Sequence, residues 1–299
     1  SETVRWLERR PGEGNIGAAS VPLDLAPILR DDLFVRLETA VITSATLAVA
    51  DGFSFMARRL GLDDERVEPV TRQFASPFDY PSQAILAVPS DFVAPNADAR
   101  THFGQVMAAA HDLIQVSDGG VFLLFTSHRD VKEAASTLRA LDVESQWPLL
   151  VHGEASRDQL LRRFRDHGNA VLVGTSSFWE GVDVPGRALH ALLLARIPFR
   201  VPSEPVTAAQ CEAIEKTGGD SFLEYMIPHA ALRLKQGFGR LIRSTEDRGA
   251  VVLCDPRVLR KGYGGKLLEA LPPARREVAP WATLRETLRQ FYAHAPFPL

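Results

Sequence analysis

From about residue 120 onward, short runs of β-branched and aliphatic residues alternate with stretches whose apolar positions recur at helical spacing. The runs are Val121 to Phe125, Leu149 to Val151, Ala170 to Val173, Ala191 to Ala195 and Val251 to Cys254. Continuous apolar runs of this length predict strands buried on both faces. Between them, Asp130 to Leu141, Ser156 to Asp166 and Phe222 to Lys235 predict helices, as in Val131, Ala134, Ala135, Leu138 and Leu141. Ser156-Arg157-Asp158-Gln159 is a capping box that starts one of them. Strands alternating with crossover helices predict an α/β fold with a doubly wound parallel sheet.

The first eighty residues follow another pattern. Pro11-Gly12-Glu13-Gly14-Asn15 and Pro22 punctuate them, one apolar strand is expected from Ala40 to Ile42, and Phe53 to Leu60 reads as helical. This stretch is expected to lead into the sheet domain. Ala94 to Asp98 is expected to be a loop, Pro198, Pro202 and Pro205 to hold an extended segment, and Trp281 to Ala293 to form a C-terminal helix. There is no internal repeat.

Composition narrows the class. Apolar residues make up 45% of the 299 and charged residues 24%, and no apolar run is long enough for a membrane span, which predicts a soluble protein. A net charge of −3, from 34 basic and 37 acidic residues, excludes a globally basic nucleic-acid coat, so any such binding must use a local groove. Cys211 and Cys254 are far apart and have no ligand-spaced neighbours, which predicts neither a disulfide framework nor a zinc site and points to a reducing cytoplasm. The start, Ser1-Glu2-Thr3-Val4, has neither an initiator Met nor a secretory signal, as expected of a fragment.

Ligands of open α/β sheets sit beyond the carboxyl ends of the strands, and three of those loops carry unusual chemistry. Phe125-Thr126-Ser127-His128 runs a buried strand into two hydroxyls and a helix start, which is either a seat for a nucleic-acid phosphate or simply an N-cap. Gly174-Thr175-Ser176-Ser177-Phe178-Trp179-Glu180-Gly181-Val182-Asp183 opens a strand into hydroxyls, two aromatics and two carboxylates. Ser176 and Ser177 suit phosphate oxygens and Trp179 a base, whereas Phe178 reads as core. Glu180 and Asp183 are placed to respond to a nucleotide or a positive partner; the bland alternative makes them helix caps.

The third segment is Gln236-Gly237-Phe238-Gly239-Arg240-Leu241-Ile242-Arg243. Read as a helix, it sets Gln236, Arg240 and Arg243 in one line, with two glycines clearing the neighbouring turn. Such a face is either a phosphate-reading surface or a solvated basic face. The strand that follows ends in Asp255-Pro256-Arg257, where Asp255 and Arg257 are expected to brace each other or the arginine helix. No Gly-x-x-x-x-Gly-Lys-Ser/Thr loop occurs in the chain, and Asp63-Asp64-Glu65 does not follow a buried strand as magnesium-holding carboxylates should.

In this order the segments resemble the second RecA-like domain of the DinG and XPD family of superfamily-two DNA helicases, over most of the chain. Val41-Ile42-Thr43-Ser44-Ala45-Thr46-Leu47 resembles motif III, Phe125 to His128 motif IV, Gly174 to Asp183 motif V and Gln236 to Arg243 motif VI. Ile197-Pro198-Phe199 and Asp255-Pro256-Arg257 are similar to segments that follow motifs V and VI. The resemblance implies a RecA-like parallel sheet flanked by helices on both faces, without its own P-loop. It also implies that residues 1–47 are a lead-in from a first helicase half and that 48–299 form the C-terminal domain.

Function follows from the same resemblance: a motor stepping 5′ to 3′ along single-stranded or forked DNA on ATP with magnesium, in repair or replication. Arg240 and Arg243 would be arginine fingers, with Gln236 near the nucleotide and Glu180, Gly181 and Asp183 coupling it to DNA. Thr126, Ser127, Ser176, Ser177 and Trp179 would hold the strand, and Ser44, Ala45 and Thr46 would link hydrolysis to movement. The partner is the first half, which would bind most of the ATP and in many members an iron–sulfur cluster; two cysteines cannot hold such a cluster here. This chain alone is therefore expected not to turn over ATP. The alternative is a stand-alone RecA-like module that binds nucleic acid or a partner without hydrolysis.

Overall fold

The computed structural model of the chain describes residues 2–9, 16–44, 47–48, 52–175, 178 and 188–293. In chain order the first elements are strands β1 (Thr3–Arg9) and β2 (Ile16–Pro22), helices α1 (Ala26–Asp32), α2 (Ser54–Leu60) and α3 (Tyr80–Gln83), and strand β3 (Ala84–Pro89). There follow α4 (Ala99–Ser117), β4 (Val121–Phe125), α5 (His128–Ala140), β5 (Leu149–Val151), α6 (Arg157–His167), β6 (Val171–Thr175) and β7 (Ala191–Leu194). The last are α7 (Pro205–Lys216), α8 (Ile227–Leu241), β8 (Gly249–Leu253), α9 (Arg257–Arg260), α10 (Gly264–Glu269), β9 (Arg275–Ala279) and α11 (Trp281–Ala293).

These elements form two compact units. The first comprises Ser1–Ala75 and Phe199–Leu232, the second Ser76–Pro198 and Arg233–Leu299. The lead-in expected to end at residue 47 thus falls inside a unit that continues to Ala75 and takes in a later segment.

The second unit is a seven-stranded sheet of order β5-β6-β4-β7-β8-β3-β9, parallel at every pairing. Side chains alternate across it, as strand geometry requires. Val121, Leu123, Phe125, Val171, Val173, Leu193 and Val252 join one buried cluster with α4, α5 and α11. Phe122 points the other way and meets Phe164 of α6 edge-on, with ring centroids 4.6 Å apart. Helices therefore cover both faces, as the apolar runs predict. Asp118, Gly119 and Gly120 all take positive φ between α4 and β4. A Cβ on Gly119 would lie 2.0 Å from the Asn169 carbonyl oxygen, so only glycine fits where the chain turns into the central sheet.

The five predicted strands and the helices predicted at Asp130 to Leu141 and Ser156 to Asp166 are present with ends shifted by a residue or two, whereas the predicted Phe222 to Lys235 helix begins as a π-helix over Phe222–Met226 and runs on as α8 to Leu241. The Ser156 capping box forms, and the C-terminal helix spans Trp281–Ala293. β3, β9 and the 19-residue α4 add to the expectation. β9 carries Arg275, Arg276 and Glu277 and has an edge strand's polar character.

The first unit departs further from the sequence reading. β1 and β2 pair antiparallel from Thr3↔Pro22 to Arg9↔Ile16, where the sequence reading has only punctuation. Ala40 to Ile42 forms no strand. Pro205 does not extend the chain but starts α7, a first-turn position that needs no N–H donor. From α7, the Gln210 side-chain amide donates to the Leu23 carbonyl just after β2. Asp64 is engaged by Arg66 and Arg30 and titrates at about 2 because of the Arg66 hydrogen bonds, so this carboxylate of the acidic run belongs to a surface ion-pair network.

Asp255 is the buried polar anchor of the sheet unit. Its fully buried carboxylate accepts from the Arg257 guanidinium at 2.6 Å and from the Ile197 N–H at 3.1 Å, tying the end of β8 to the end of β7. Removing it strands a partly buried guanidinium and a buried amide. Asp255→Ala is expected to destabilise the unit by about 3 kcal/mol and lower Tm by roughly 6–12 °C in thermal denaturation. Glu286→Ala, at an exposed ion pair with Arg289 in the same unit, should shift it by no more than about 1–2 °C. Equal shifts would refute the anchoring role.

Candidate nucleotide and nucleic-acid site

β5, β6 and β4 are neighbours, so the loops leaving their carboxyl ends are brought together. Phe125 pairs with Thr175 in register, which sets Thr126 and Ser127 beside the last residue of β6. Ser127 caps α5: its hydroxyl oxygen accepts from the Asp130 N–H at 3.1 Å. Thr126 and Ser127 both remain partly exposed. The capping reading of Ser127 is thus realised, and capping leaves its hydroxyl hydrogen available to another acceptor.

His152, the first residue beyond β5, links the three strand ends. Its Nδ1 accepts from the Thr175 N–H and lies 3.2 Å from Thr175 Oγ1. An accepting Nδ1 leaves the ring proton on Nε2. The ring stands between His128 and Phe178, with centroids 4.8 Å away on each side. Burial above all, then the charges of His128 and Arg157, holds the imidazole below its usual range, so at neutral pH it is an uncharged donor.

Phe178 is buried, as the sequence reading holds, and Gly174 leaves room for it: a Cβ there would lie 3.2 Å from the Phe178 Cβ. Arg157, the first residue of α6, donates to the Phe178 carbonyl at 2.9 Å and carries its guanidinium 5.7 Å from the Phe178 ring. Three adjacent strand ends thus present hydroxyls, a neutral imidazole and one fixed guanidinium. Such a donor set matches phosphate oxygens without reading base identity.

His152, Thr175 and Arg157 are absent from the sequence-predicted set. The available signal is positional: His152 follows β5, a strand whose carboxyl-end loop lacks the run of hydroxyls or carboxylates that marks the other loops.

The arginine segment is only partly helical. α8 buries Leu234, Phe238 and Leu241 against the sheet unit, which leaves Gln236 and Arg240, four residues apart, on a partly exposed face. The helix ends at Leu241, so Arg243 is not in line with them. The reason is local: the Asp247 carboxylate accepts the Arg243 and Ser244 N–H groups, each at 2.8 Å, in place of a further helical turn. The Gln83 side-chain amide pins the same turn through the Ser244 and Asp247 carbonyls. The glycines also differ from expectation: Gly237 is buried, and only Gly239 opens to free space.

Asp255 and Arg257 brace each other, one of the two expected arrangements, and Ser44 is exposed and belongs to no strand. Ala45, Thr46, Ser176, Ser177, Trp179, Glu180, Gly181 and Asp183 lie outside the described residues. Among the described residues no group of three or more His, Cys, Asp or Glu is placed to hold a metal ion, and no helix is long and apolar enough to cross a membrane.

The helicase C-terminal domain family matches residues 110–274. The ATP-dependent DNA helicase YoaA of Escherichia coli is 39% identical over 86% of this chain and 39% of its own length. The ATP-dependent DNA helicase DinG of Photobacterium profundum is 36% identical over 92% of this chain and 40% of its own, and the 3'-5' exonuclease DinG of Bacillus subtilis 35% over 89% and 29%. The chain therefore spans two fifths or less of these relatives. Two solved structures, named XPD helicase and XPD apo, superpose with TM-scores of 0.50 and 0.52 over 66% of this chain and 35% and 40% of theirs. At 16% and 18% identity this likeness shows the fold alone, and it agrees with the RecA-like parallel sheet. By the matched segment, the chain belongs to the helicase C-terminal domain family.

Proposed function

We propose that this chain is the C-terminal motor half of an ATP-dependent DNA helicase of DinG type, moving 5′ to 3′ along single-stranded or forked DNA in repair or replication. One observation carries the reading: guanidiniums suited to phosphate sit in a chain of helicase relatives that has no phosphate-cradling loop of its own. A preceding half of the same polypeptide supplies that loop, the magnesium and, in some members, an iron–sulfur cluster.

The residues fit an anionic nucleotide. Gln236 and Arg240 contribute an amide and a guanidinium one turn apart, and Arg243 adds a second guanidinium from the turn that Asp247 holds. Bound ATP supplies the hydrolysis that drives movement. Arg240 and Arg243 place positive charge where the transferring phosphoryl group develops negative charge, and Gln236 orients the same phosphates.

Glu180, Gly181 and Asp183 couple that site to the strand, together with Ser44, Ala45 and Thr46. Thr126, Ser127, Ser176 and Ser177 hold the DNA backbone, and Trp179 stacks on a base. The Thr175, His152 and Arg157 cluster supports this assignment, because it brings phosphate donors to the same strand ends.

In the full-length polypeptide, Arg240→Ala is expected to lower DNA-stimulated ATPase by about 10³-fold or more with DNA affinity nearly unchanged. Loss of DNA binding instead would put this arginine on the wrong ligand. Arg157→Ala should weaken binding of a single-stranded oligonucleotide and reduce the salt slope of affinity by about 0.7, one phosphate contact; an unchanged slope would remove Arg157 from the interface. Trp179→Ala should cost about 1–3 kcal/mol of strand affinity while basal hydrolysis persists. Unaltered affinity and unwinding would rule out stacking.

A further inference from the structure

Helix α6 carries a dense run of positive charge. It buries Leu160, Leu161 and Phe164 and exposes Arg157, Arg162, Arg163 and Arg165, against the two carboxylates of Asp158 and Asp166. On the surface of the same unit, Arg139, Arg275, Arg285 and Arg289 each face a carboxylate, from Glu154, Glu277, Asp112 and Glu286 in turn. Among the described residues, Arg162, Arg163 and Arg165 form no ion pair, so their charge is left to a partner in solution.

Two of these arginines line a groove. Ala155, Gln159, Arg162, Arg163 and Asp166 surround an open cavity of about 320 Å³. The Gln159 side-chain carbonyl accepts the Ser156 N–H in the capping box, which leaves its amide N–H donors for another acceptor. The groove adjoins the strand-end cluster: Ala155 bridges to His152, and Arg157 is the first residue of the helix. Because α6 connects the parallel neighbours β5 and β6, it must run back from their carboxyl ends toward their amino ends. Its exposed face therefore leads away from the strand-end donors down the flank of the sheet, and Asp166 marks the far end.

We infer that a single nucleic-acid strand leaving the β5-β6-β4 strand ends continues over the exposed face of α6, where Arg162 and Arg163 each hold a backbone phosphate and the Gln159 amide donates to the first of them. The inference rests on the proposed nucleic-acid reading of those strand ends and adds a second contact zone to it. Phosphate is the chemistry this face selects, because planar guanidinium forks match its oxygens. Among the described residues no aromatic side chain lines the groove to stack a base, so the contact is with the backbone and independent of sequence. An acidic protein segment would meet the same charge, but continuity with the donors at Ser127, His152 and Thr175 favours a chain of phosphates.

Equilibrium binding of oligothymidylate to the polypeptide as its gene encodes it, measured across a salt series, tests the inference. The probes are a strand of about 8 nucleotides, enough for the strand-end donors, and one of about 25, enough to continue over α6. Arg162→Ala with Arg163→Ala is expected to lower the salt slope for the longer strand by about 1.4, two phosphate contacts at about 0.7 each, and to leave the shorter strand's slope unchanged. Arg162→Lys with Arg163→Lys, which keeps both charges, should retain the slope. An unaltered slope with the longer strand after the alanine changes would overturn the inference. So would equal losses on both lengths, since that marks a general attraction to positive surface. Binding of polyglutamate that the alanine changes abolish, with both strand slopes intact, would give the face to an acidic protein instead. A slope lowered by Arg157→Ala but not by the Arg162 and Arg163 changes sinks the path over α6 and spares the strand-end reading; no binding of either strand by the unsubstituted polypeptide sinks both.

Discussion

The candidate strand-end chemistry of this chain depends on the parallel ladder of its sheet. Every pairing among the seven strands is parallel, so every carboxyl end emerges on the same edge. The order β5-β6-β4 then decides which loops meet. Residues 127, 152, 157, 175 and 178 are scattered over fifty positions of sequence, and the ladder gathers them. The apolar runs that build it must be continuous, because helices cover both faces, and that continuity makes them legible in the sequence.

Legibility ends where the deciding interaction is tertiary. β4 to β8 are apolar enough to read directly, whereas β9 is half charged and becomes a strand only because β3 offers it an edge. The first hairpin is similar: its partly buried and exposed residues alternate, but it is the pairing of β1 with β2 that defines it. Conversely, the run at Ala40 to Ile42 has strand composition and forms no strand here. Composition states what a segment can pair with, and a partner decides whether it does.

The same division runs through the candidate site. Thr126, Ser127, Arg240 and Arg243 are legible as residue types at meaningful spacing. The bend after Leu241 was not, because it depends on Asp247 capturing two N–H groups and on Gln83 from far upstream. Arg243 leaves the helix line for that reason, while Gln236 and Arg240 stay on it. A lone histidine after a short strand carries no pattern, so His152 is not legible in the sequence; its place beside His128 and Phe178 exists only in the folded sheet.

In the proposed reading this chain is half a machine: a sheet that gathers candidate phosphate donors, arginines suited to a nucleotide, and no Gly-x-x-x-x-Gly-Lys-Ser/Thr loop. The most direct test is single-strand-stimulated ATP hydrolysis by this 299-residue chain, with the longer polypeptide measured alongside. The account requires background rates from the chain alone and turnover from the longer polypeptide. DNA-stimulated hydrolysis by the chain alone would contradict it.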